Sequence, residues 1–168
     1  MLSRGRYSML RTLLIALLAL GVVRAAPAGA QARTIACGTL SKVKTGVDRA
    51  ATPMTMASLD FLEVPNTRIA FKVGGKTKSC VIVTYAARMQ AVAPEQLWLR
   101  VVLDGKVVAE PGALIATAND AGGDYRAHSY TWVFPAVNPG SRNVRVEYRS
   151  GGGSQVGIQQ QTIVVQYR

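Results

Sequence analysis

The chain has 168 residues, with 20 Lys and Arg against 9 Asp and Glu and a formal net charge of +11. That length suits one domain of ordinary size, and 49% hydrophobic residues exclude a chain disordered by composition. One histidine and two cysteines exclude a His/Cys zinc centre built by this chain alone, and they route every histidine-dependent catalytic scheme through His128.

Residues 1–32 read as an export signal. Arg4, Arg6 and Arg11 form a positive start, an apolar run follows from Leu13 to Val23, and Ala30-Gln31-Ala32 fits the small-x-small pattern of signal-peptidase cleavage. The apolar run is shorter than the roughly 20 residues a spanning helix needs, so no membrane span is expected after cleavage. Removing residues 1–32, which carry four arginines and no acid, leaves 136 residues with 16 basic and 9 acidic side chains, a net charge of +7. The mature part, 33–168, is read as a single secreted or periplasmic domain. It keeps both cysteines, Cys37 and Cys80. In an oxidising compartment such an even pair is expected to form a disulfide, worth about 4 kcal/mol for the loop it closes.

Beyond residue 33 the apolar residues alternate with period two, the pattern of half-buried strands. Ser41 to Ala57 is mixed and reads as loop with a short strand. Ile69, Phe71 and Val73 alternate with Arg68, Ala70 and Lys72. Gly74-Gly75 then separates this strand from KTKSCVIVTYAARM. Leu97, Leu99, Val101 and Leu103 alternate with Trp98 and Arg100, and Asp104-Gly105 after them is the strongest hairpin signal in the chain. Ile115 to Arg126 reads as a polar loop. SYTWVFPAV, the Asn138-Pro139-Gly140 break, a strand with Val144, Val146 and Tyr148, the Gly151–Gly153 turn and QVGIQQQTIVVQY complete the pattern. The expected fold is all-β, an antiparallel β-sandwich of jelly-roll or other Greek-key type with about eight or nine strands. An immunoglobulin domain is disfavoured, because its core Trp lies between the two bridged cysteines, whereas Trp98 and Trp132 both follow Cys80.

The segments LRVVLDG, SYTWVF, NPGSRNVRVEYRS and TIVVQ resemble a group of secreted bacterial β-sandwich domains without an assigned activity. In these a strand ending in Leu-Asp-Gly precedes a Pro-Gly turn and a basic strand. The resemblance spans roughly residues 58–167. It implies a sandwich exported from a bacterium and transfers no active residue.

Several residues qualify as site candidates. His128 as a general base would need a nucleophile, but Ser129 beside it on a strand points to the other face. Met54, Met56 and Met89 with His128 have the soft ligand chemistry of Cu(I) carriers, against plain packing in the core. Asn119, Asp120 and Asp124 are the weak candidates for calcium, without the spacing of an EF-hand loop. Neither a metal nor a cofactor is therefore expected. Trp98 shares parity with Arg100 and points away from the Leu97/Leu99/Val101 face, which suggests a ring offered to a ligand. Arg100, Tyr125 and Trp132 join it as candidate ligand-binding residues, with Tyr130 and Trp132 also fitting the core. Arg142, Arg145 and Arg149 run along one strand as a basic face, and Lys72, Lys76 and Lys78 flank the Gly-Gly turn. Glycosidase chemistry would need two acids about 5–10 Å apart, such as Glu95 with Asp104 or Glu110.

The function expected is that of an exported, non-catalytic binding or interaction domain for an envelope glycan or partner protein. An anionic envelope polymer is a possible partner and nucleic acid is not. The alternatives are a structural subunit of a surface assembly and a carboxylate-dependent glycoside-acting enzyme.

Overall fold

The computed structural model describes residues 34–50, 53–120 and 124–168, so the segment read as an export signal and its expected cleavage site lie outside the described residues. Ile35–Arg168 form one compact unit. Its elements are all strands: β1 (Lys42–Asp48), β2 (Met54–Met56), β3 (Leu62–Glu63), β4 (Ile69–Val73), β5 (Ser79–Gln90), β6 (Gln96–Leu103), β7 (Val107–Val108), β8 (Leu114–Ala118), β9 (Arg126–Val137), β10 (Gly140–Ser150) and β11 (Val156–Tyr167).

They build two antiparallel sheets. The first runs β1-β11-β5-β9, with β2 also on β11. The second runs β3-β10-β6-β7, with β4 also on β10 and β8 also on β6. The extra strands share an edge with their neighbours. β1 pairs with Gln161–Tyr167 of β11 and β2 with Val156–Ile158. β4 and β3 divide β10 in the same way, and β7 and β8 divide β6. Each sheet therefore has four strand positions, and the connections between them, which cross from sheet to sheet except from β6 to β7 and β8, follow the order of a jelly roll. The eleven strands observed exceed the eight or nine expected because three edge positions are each broken in two. Ser41 to Ala57 carries β1 and β2, and the segment read as a polar loop begins with β8.

Period-two alternation puts one face of each strand in the core. Val81, Val83, Tyr85, Ala87 and Met89 of β5 face Leu97, Leu99 and Val101 of β6 and Val144 and Val146 of β10, all buried. β11 keeps its inward face through a bulge. Gln159 pairs with Arg88 and Thr162 with Ala86, so Gln160 and Gln161 stand opposite Ala87 alone. Gln160 takes a φ of 49° there, and Ile158 before the bulge and Ile163 after it both stay buried. Gln161 turns inward, where it accepts a hydrogen bond from the Tyr85 hydroxyl at 2.7 Å and donates to the carbonyl of Pro65.

Cys37 and Cys80 form a disulfide with Cα atoms 5.4 Å apart. It pins the segment ahead of β1 to the start of β5. No described helix is long and apolar enough to cross a membrane.

Candidate functional site: an arginine–aromatic ladder on one sheet face

The outer face of the second sheet collects cations and rings through strand register. Arg149 of β10 stands opposite Trp98 of β6, and Glu147 stands opposite both Arg100 of β6 and Glu63 of β3. Phe61, just ahead of β3, completes the Arg149 row. The Arg149 guanidinium carbon lies 4.9 Å from the Trp98 ring centre and 5.2 Å from that of Phe61. The Arg100 guanidinium sits over Phe61 at 4.0 Å. These are cation–π distances, strengthened where the pair is drawn out of water.

Glu147 is the charge hub. Its carboxylate is only 4% exposed and accepts from Arg100 at 2.6 Å and Arg145 at 2.5 Å. Glu63 takes Arg68 and lies 3.8 Å from Arg145. Three arginines, Arg68, Arg100 and Arg145, thus meet two glutamates, and with Arg149 the described part of this face keeps a positive excess. Arg149 is the arginine without a carboxylate: its Nε is buried and has no hydrogen-bond partner among the described residues.

Beside Trp98 and Arg149 opens a cleft of about 400 Å³, also lined by Pro94, Glu95, Gln96, Gly151 and Gly152. Its wall is organised by Glu95. The Glu95 carboxylate accepts the backbone N–H groups of Gln96, Gly152 and Ser154 at 2.7–2.8 Å. Burial pushes this carboxyl up. The donors of Gly152, Gln96, Ser154 and Gly151 together outweigh that effect and hold it below its ordinary value, so Glu95 stays ionised.

Of the residues singled out in the sequence, Trp98, Arg100, Arg145 and Arg149 converge here. Three others do not. Trp132 is fully buried, and its indole N–H donates to the carbonyl of Gly112 at 2.9 Å, so it belongs to the core and offers no ring to a ligand. Tyr125 lies over the first sheet, where a Cβ on Gly157 would stand 2.1 Å from its hydroxyl. Arg142 has the opposite parity to Arg145 and Arg149. It bonds Asp104 at 3.2 Å and the carbonyls of Asn138 and Pro139, which staples two turns together. Arg142 and Asp104 share a second cavity of about 390 Å³ with Glu110 and Phe134, where Asp104 also accepts the N–H and side-chain amide of Asn143.

The pairing of Glu95 with Asp104 does not form. They flank the two ends of β6, about 30 Å apart at the rise of an extended strand, and Glu110 lies on the Asp104 side. Two acids acting on one glycosidic bond stand within 10 Å. Asp120 of the calcium candidates is buried, and its carboxylate accepts from the Ala91 N–H and the Thr117 hydroxyl at 2.8 Å each, closing its own loop. No cluster of three or more His, Cys, Asp or Glu suited to a metal occurs among the described residues. Met56 and Met89 are buried in the core, with Met54 packed against it. His128 stacks on Tyr130 at 6.2 Å, and its Nε2 is buried with no hydrogen-bond partner among the described residues.

Sequence reading missed Phe61, Glu63 and Glu147. Glu147 carried a signal, since it shares parity with Arg145 and Arg149. Phe61 carried none, because β3 is two residues long and shows no alternation.

No family of known proteins matches the chain, and no curated protein matches it. Among solved structures, one of infectious bursal disease virus, Gx strain, matches with TM-score 0.46 and 11% identity over 78% of this chain and 34% of that one. The sugar-binding EclA C-terminal domain matches with TM-score 0.39 and 12% identity over 83% and 88%. Dimeric latent PorU from Porphyromonas gingivalis matches with TM-score 0.43 and 12% identity over 82% and 13%. The chain spans about a third of the viral protein it matches, and at these values the likenesses assign no function.

Proposed function

We propose that this chain is an exported, non-catalytic binding module, with residues 33–168 as the mature domain and an envelope glycan or partner protein as its ligand. The binding surface is the outer face of the second sheet. The observation that carries this reading is the convergence of Trp98, Phe61, Arg100, Arg145 and Arg149 on one sheet face beside an open cleft. Large rings and arginines at a surface are costly to leave idle and are the side chains that dominate recognition surfaces. The Cys37–Cys80 disulfide supports export, since such bonds persist in oxidising compartments. The test is a screen of the disulfide-bonded protein and its Trp98→Ala variant against envelope glycans and anionic polymers. Binding lost in the variant supports the reading. Binding that survives the substitution and vanishes with salt assigns recognition to the arginines of the basic face rather than to the Trp98 ring, and no binding by either protein removes glycans as the ligand class.

A further inference from the structure

Arg149 is built differently from its neighbours. Arg68, Arg100 and Arg145 each have a glutamate. Arg149 has two aromatic faces instead, Trp98 on one side and Phe61 on the other, and no acceptor among the described residues. A guanidinium with a ring to either side bonds through its edge, and that edge is a rigid fork matched to planar carboxylates. A buried donor left without an acceptor is costly, and native proteins rarely keep one. Nε itself is shut off from the cleft, so the terminal nitrogens of that edge are the part of Arg149 that a ligand can meet.

The cleft next to this fork limits what that ligand is. Its volume of about 400 Å³ falls at the small end of ligand sites. Trp98 offers an apolar ring, and Gly151 and Gly152 keep the opposite wall free of side chains. A Cβ on either would come within 3.3 Å of Gln96 or Glu95. Glu95 adds one fixed negative charge, turned onto the amides of Gly152 and Ser154. One cation and one anion line the site, so a single negative charge is accommodated at Arg149 and a dianion meets repulsion from Glu95.

We propose that the Trp98–Arg149 cleft is a subsite for a hexuronic acid residue of an acidic polysaccharide, its carboxylate bound at the edge of the Arg149 guanidinium and its ring resting against Trp98. The proposal deepens, and rests on, the reading of this face as a glycan-binding surface.

Calorimetric titration at low ionic strength with a short oligogalacturonate, its methyl ester and polyglutamate tests it. The methyl ester keeps the sugar and removes the charge, and polyglutamate keeps the charge and removes the sugar. The oligogalacturonate is expected to bind, and the methyl ester to bind at least about tenfold more weakly. Arg149→Gln should match that loss, and Arg149→Lys should recover only part of it, because an ammonium lacks the fork. The ester comparison uses the unaltered protein, so the test stands even if an Arg149 variant misfolds. Equal binding of acid and ester, abolished in Trp98→Ala, overturns the uronate assignment and leaves the glycan surface intact. Polyglutamate binding as tight as oligogalacturonate overturns it in favour of an acidic protein partner. Binding of none of the three overturns the assignment, and the wider glycan screen then decides the surface reading separately.

Discussion

Glu147 and Glu95 show how two carboxylates one sheet apart in role arise from their neighbours. Glu147 sits almost fully buried between Arg100 and Arg145, where removing it would leave two arginines facing each other. Glu95 is held by backbone donors alone, and these organise the Gly151–Ser154 turn that walls the cleft. Its folded-state pKa is depressed, so its contribution to stability is present above the ordinary glutamate range and lost as pH falls through the lowered value. Urea unfolding followed across the acid range should show stability declining below about pH 4, and Glu95→Gln should flatten that decline while lowering stability at neutral pH. An unchanged acid limb in the variant would show that the turn does not depend on this charge. Parity made Trp98 legible in the sequence as a residue turned from the core. It left Trp132 open between core and ligand, because inward parity and a free indole look alike until Gly112 is placed beside it.

At the scale of elements, the long central strands were the readable ones. β5, β6 and β10 alternate because one face of each is buried along its length, and β11 alternates on either side of its bulge. Among the edge strands β4 was readable through Ile69, Phe71 and Val73, but β1, β3 and β7 were not. β1 is exposed over most of its seven residues, so burial imposes no pattern on it, and β3 and β7 are two residues each. The turn after β6 was read correctly. Asp104 and Gly105 take φ of 51° and 71°, both positive as in a type I′ turn, and Leu103 pairs with Val107 across three turn residues. A Cβ at position 105 would also lie 3.3 Å from the Arg145 guanidinium. Gly105→Ala is therefore expected to cost about 1–2 kcal/mol, measured by chemical denaturation, with the loss arising from the left-handed backbone. A cost near zero would mean that the turn changes type.

For the molecule as a whole, the disulfide and the proposed binding face lie on different sheets. Cys80 belongs to β5 of the first sheet, whereas Trp98 and Arg149 belong to β6 and β10 of the second. Bridging residues 43 apart is worth about 4 kcal/mol through the entropy of the unfolded chain. Reduction, or Cys37→Ser with Cys80→Ser, should lower stability by that order in denaturant titrations. Ligand binding under conditions where the protein stays folded should change little. A loss of binding without unfolding would show that the two sheets are coupled.

The sequence by itself determined the all-β class, the disulfide pair, the hairpin at Asp104-Gly105 and the outward direction of Trp98. Each follows from a local cause: side-chain parity, cysteine count or the backbone preference of a glycine. Only the tertiary structure decided that the strands form a jelly roll, that Arg142 leaves the basic face, and that Glu95 is remote from Asp104. It also decided that Phe61 closes over Arg149. These depend on which strands become neighbours, and register across a sheet joins residues that chain order keeps almost ninety positions apart.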